Sequence, residues 1–145
     1  MTPKTLDEVV TYLFARPLPL LEPGTKIYDP NLVNVIPNLS VHKYVKAALH
    51  LANDDIQNCH LIAQDNEGDP TADMLHATLH RREGDYWNSK YWWSHVGRHP
   101  LFPGVSSAKA FVDACSSVRG EGKALRERQW EDIKRIVEWT RQNYH

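Results

Sequence analysis

Shifted by 30 residues, the chain matches itself: AALHLANDDIQNCHLIAQ (47–64) lies over ATLHRREGDYWNSKYWWS (77–94). Ala47/Ala77, Leu49/Leu79, His50/His80, Asp55/Asp85 and Asn58/Asn88 coincide, and small Cys59 meets small Ser89. Each copy reads as a helix, a three-residue turn and a second helix. A repeat of that kind cannot bury its apolar face alone, so it predicts helical hairpins stacked on one another.

The rest of the chain is consistent with an all-α fold. Leu6, Val9, Val10, Leu13 and Phe14 fall at helical spacing within residues 5–15, and Pro17 ends that helix. Residues 16–39 carry prolines at 17, 19, 23, 30 and 37, which remove backbone donors and restrict their neighbours. The segment also holds Leu18, Leu20, Leu21, Ile27, Tyr28, Leu32, Val33, Val35 and Ile36, too apolar for a solvated linker. An extended wrap across the helices, closing over a groove, is predicted. Ser40 suits the N-cap of a helix over 41–52. Further helices are predicted over 56–64, 71–82 and 86–96, the last ended by Gly97 and Pro100. Two more, over 106–118 and 123–143, are expected to form a C-terminal hairpin. Nothing reads as a paired strand. Residues 1–145 are expected to form a single helical domain, with two repeat-like hairpins over 40–100.

A chain of 145 residues suffices for one domain with a real core. A formal net charge of −1 gives no electrostatic case for nucleic acid or an anionic membrane. No apolar run nears the ~20 residues needed to span a bilayer. Asp7 and Glu8 interrupt the N-terminus where a signal peptide would be apolar, and Cys59 and Cys115 form no framework. A cytoplasmic protein is expected, with oligomeric state left open.

The stretch Met74–Pro100 holds four of the eight histidines and three of the five tryptophans, more polar and aromatic chemistry than a core requires. In it Gly84-Asp85-Tyr86, Ser89, Trp93 and Pro100, with Ala77 on the preceding helix, resemble the second-half signature of the tetratricopeptide repeat family. The resemblance covers about 43–100 as two degenerate repeats, at a spacing of 30 rather than the family's 34 residues. It implies stacked antiparallel hairpins and a peptide or protein partner in a concave groove, with Arg81 and Arg82 near the groove. The departure lies at His76 and His80, where the pattern usually carries large apolar or aromatic residues.

His76, His80 and Glu83 are spaced i, i+4, i+7 and share one helical stripe. Two imidazoles one turn apart can chelate a metal, or act as acid and base with Glu83 as orienting partner. An HExxH zinc motif would need glutamate at position 77, which is Ala77. The alternative is a buried polar network that fixes the hairpins. Arg81 and Arg82 suit carboxylate or phosphate recognition, or favourable charge at a helix C-terminus. Trp87, Tyr91 and Trp92 suit the walls of a pocket. His42, His50 and His60 are scattered, and His95 and His99 straddle Gly97. There is no nucleophile triad, phosphate-cradling glycine loop or nucleotide fingerprint.

Three functions follow. One is a small binding protein that takes a polar or anionic small ligand or a peptide, through His76, His80, Arg81, Arg82, Trp87, Tyr91 and Trp92. Another is an enzyme using His76 or His80 with Glu83 and no organic cofactor; a metal, if any, would sit at His76 and His80. The third is a structural adaptor.

Overall fold

The computed structural model describes residues 2–22 and 26–145. Its helices are α1 (Leu6–Phe14), α2 (Leu32–Val35), α3 (Lys43–Ala52), α4 (Ile56–Gln64), α5 (Pro70–Arg82), α6 (Tyr86–Val96), α7 (Val105–Ser117) and α8 (Lys123–Asn143). Among the described residues there is no strand; His99 and Phe102 form an isolated antiparallel bridge. The fold is all-α.

The repeat is visible atom by atom in the two turns. Asp55 and Asp85 cap α4 and α6, each accepting from the backbone N–H three residues on, at Asn58 and Asn88. Each cap carboxylate also takes a 2.6 Å hydrogen bond from that asparagine's side chain. The caps' own N–H groups donate back 2.8 Å to the carbonyls of His50 and His80. Between helix and cap stands a left-handed residue, Asp54 (φ 57°) in the first copy and Gly84 (φ 83°) in the second. Only glycine adopts that conformation without steric cost, so Asp54 must be held by other contacts.

Successive helices pack side by side, α3 on α4, α4 on α5, α5 on α6 and α6 on α7. Small residues permit the close approach: the Ser89 hydroxyl donates 2.7 Å to the Ala77 carbonyl, and Ala47 and Cys59 are fully buried at the equivalent places of α3 and α4. Helix α8 crosses back to α3. The predicted C-terminal hairpin over 106–143 is therefore corrected. α7 pairs chiefly with α6 and α8 chiefly with α3, because α8 carries the stripe Trp130, Ile133, Ile136 and Val137 that closes the core over the first hairpin.

The wrap is corrected too. Residues 32–38 are not extended but form α2 and the 3-10 turn Ile36–Asn38, which bury Leu32 and Ile36. Residues 23–25 of the predicted wrap, and Met1, lie outside the described residues. Leu18–Leu21 do run as a non-helical strap. Pro17 and Pro19 leave carbonyls without neighbouring donors, and long side chains supply them. Arg126 donates to the Pro19 and Leu18 carbonyls at 2.9 and 3.0 Å, and Gln129 to Leu21 at 3.1 Å. Helix α3 begins at Lys43 rather than Val41, because His42 and not Ser40 is its N-cap: the His42 Nδ1 accepts from the Tyr44 N–H at 3.0 Å.

Helix α5 is the centre. Every residue from Thr71 to Arg82 is buried, although seven of the twelve are polar. A helix enclosed on all sides is ordinarily apolar throughout. Here each polar side chain needs an internal partner or a ligand, and this requirement positions the site.

Candidate functional site

The second and third turns of α5 bring His76 and His80 to the side where His60 of α4 meets them. The His60 ring stands edge-on to both, with centroids 4.6 Å from His76 and 5.5 Å from His80. His76 and His80 stack on each other at 5.0 Å. Behind them Trp92 of α6 lies flat on His76, 3.9 Å between centroids and 15° between planes. One ring nitrogen from each of His60, His76 and His80 falls within 4.8 Å of the others.

The protonation chemistry suits this crowding. Burial pushes the His76 imidazole down to about 3, with repulsion from His60 and His80 adding to it. Burial also lowers His60, reinforced by His80. Both rings are therefore neutral at physiological pH, with a lone pair available. The His76 Nδ1 is buried with no hydrogen-bond partner among the described residues. His80 Nδ1 lies 2.7 Å from the Glu83 carboxylate and 3.9 Å from Asp85. A proton on Nδ1 shared with Glu83 leaves Nε2 with the lone pair, the arrangement that orients metal-binding histidines.

A pocket of about 440 Å³ opens over the cluster, lined by His60, His80, Glu83, Asp85, Asp55 and Ile27, among others. Ile27 comes from the Pro-rich segment, so that segment does border a groove. The first copy has no such cluster. Lys46 stands where the second has His76, and His50 pairs with Asp55 at 3.4 Å.

The predicted residues separate cleanly. His76, His80, Glu83 and Trp92 come together. Trp87 and Tyr91 stack on each other at 5.7 Å but are 73% and 45% exposed, over a different surface hollow beside Lys90 and Asp113. Arg82 does not line the pocket: it donates to the Leu20 and Leu21 carbonyls at 2.7 and 3.0 Å and pairs with Asp54, which also binds Arg16 at 2.9 Å. That triad holds Asp54 in its left-handed turn. Arg81 is buried towards α8, near Gln129 and Asp132. None of the pocket's described lining residues is an arginine. Sequence reasoning missed His60, and the one signal that could have found it is the stacking order, which sets α4 beside α5.

Comparison with known proteins finds no family model, curated protein or solved structure that matches this chain.

Proposed function

We propose that this chain is a small helical binding protein, a degenerate tetratricopeptide-like stack, whose pocket takes a polar ligand at a divalent transition metal held by His60, His76 and His80. The observation that carries the reading is three imidazoles whose nitrogens converge from two helices, two of them, His60 and His80, lining an open pocket. Three-histidine sets suit zinc and other imidazole-preferring metals and leave a coordination position for water or ligand. Asp55, Glu83 and Asp85 around the mouth present acceptors, which favours ligands with hydrogen-bond donors over the anionic ones expected of an arginine-lined groove.

Titration calorimetry with Zn²⁺ tests this. One site per chain is expected, weakened at least about ten-fold by His60→Ala, since losing even an outer partner of a metal ligand costs that much. Binding that His60→Ala leaves intact would reject the three-histidine site. The His80–Glu83 contact favours one second reading, general acid–base chemistry without metal. That reading requires an activity that survives chelation and is lost in Glu83→Gln.

A further inference from the structure

On the other side of α5 a second pocket, of about 330 Å³, lies between α5, α6, α7 and α8. Its wall includes Arg81, Trp93, Phe111, Arg128, Asp132 and Arg135. We propose that it binds a small organic dianion, a phosphate ester or a dicarboxylate, with the charged groups at the arginines and the carbon skeleton against the aromatic rings.

Arg81 carries an incompletely partnered guanidinium. Arg81 is 2% exposed, yet its Nε reaches the Gln129 side-chain oxygen only at 3.4 Å and its Nη1 stands 3.8 Å from Asp132. Its Nη2 is buried with no partner among the described residues. The neighbouring Arg82 shows what satisfaction looks like in this fold: both terminal nitrogens are engaged, and only Nε is left over. A buried donor without an acceptor carries the full cost of its desolvation, more so when charged. The Trp93 indole N–H, fully buried and also on this wall, has no acceptor among the described residues.

Charge points the same way. The guanidinium groups of Arg81 and Arg128 sit 4.5 and 4.1 Å from the Phe111 ring, and Arg135 stands 3.6 Å from Asp132. Three guanidinium groups face one carboxylate, which makes a tight hydrogen bond to neither Arg81 nor Arg135. The surplus of two positive charges matches a dianion, and guanidinium geometry suits phosphate and carboxylate alike. The pocket is larger than a bare anion, and Phe111, Phe102 and Trp93 give it apolar walls.

The test uses metal-stripped full-length protein, dialysed free of chelator, so its result does not depend on the histidine cluster. The tryptophan indole N–H signals are followed by nitrogen–proton NMR during titration with inorganic phosphate and separately with succinate, at constant ionic strength set by sodium chloride. A saturable shift of the Trp93 signal is expected with at least one anion, and which anion names the ligand class. Arg128→Gln and Arg135→Gln, both at exposed side chains, are each expected to weaken binding about ten-fold while leaving the spectrum folded. No saturable shift with either anion, as for a pocket filled only by water, would overturn the proposal. So would affinity unchanged in both variants.

Discussion

His76 is the residue furthest from its behaviour in water. Trp92 and His80 stack against it and His60 stands perpendicular to it, so a proton on the ring has neither solvent nor a counter-charge beside it. Its folded pKa, about 3, lies below the ordinary value of 6.5. Between those two values the unfolded chain binds a proton that the folded chain refuses. Stability from this ring is complete above about pH 6.5 and is lost as pH falls towards 3. Burial lowers His42, His60 and His99 in the same direction. Denaturant unfolding at pH 7, 5.5 and 4 should show stability falling steeply with acid, and His76→Gln should flatten that slope. The pairing of His76 with His80 and Glu83 could be read from spacing along one helix. The contribution of His60 could not, because it depends on how α4 lies against α5, and no local pattern around residue 60 encodes that contact.

At the scale of elements, the turns carry the repeat. Gly84 has a φ of 83°, and a Cβ there would stand 3.1 Å from the Glu22 side chain, which is itself held by the Tyr86 hydroxyl. Gly84→Ala should destabilise the fold by about 1–2 kcal/mol through the left-handed backbone. Thermal unfolding checks this. The same position in the first copy is Asp54, whose strain is offset by Arg16 and Arg82. Helix starts and stops were legible because caps and turns are local: α4, α6 and α8 fall where aspartate, glycine and apolar spacing place them. The partners of α7 and α8 were not, since an amphipathic stripe says that a helix is buried but not against what. The arginines misled for a related reason. A guanidinium near a helix end suits an outside anion and the carbonyls of a strap equally well, and only the path of residues 18–21 decides between them.

At the scale of the molecule, α5 joins everything. On one side it holds the histidine cluster; on the other, Arg81 and Arg82 reach the C-terminal helix and the N-terminal strap. Arg82 ties Leu20 and Leu21 to Asp54 of the first hairpin, so its loss leaves a buried carboxylate with only Arg16, the Leu20 carbonyl without its donor and the Leu21 carbonyl with Gln129 alone. Arg82→Met should cost about 3–5 kcal/mol, the range for breaking one side of a buried ion pair. Chemical denaturation measures it, and hydrogen exchange should rise across the strap. No described helix is long and apolar enough to cross a membrane.

In the proposed site the imidazoles of His60, His76 and His80 are ligands of one metal ion. Long-range nitrogen–proton NMR of the histidine rings, recorded before and after one equivalent of Zn²⁺, reads it directly. One nitrogen in each of those three rings should move to a metal-bound shift, while the His50 and His99 rings stay where they were. Three unmoved rings at saturating zinc, or a response confined to the exposed His95, would contradict it.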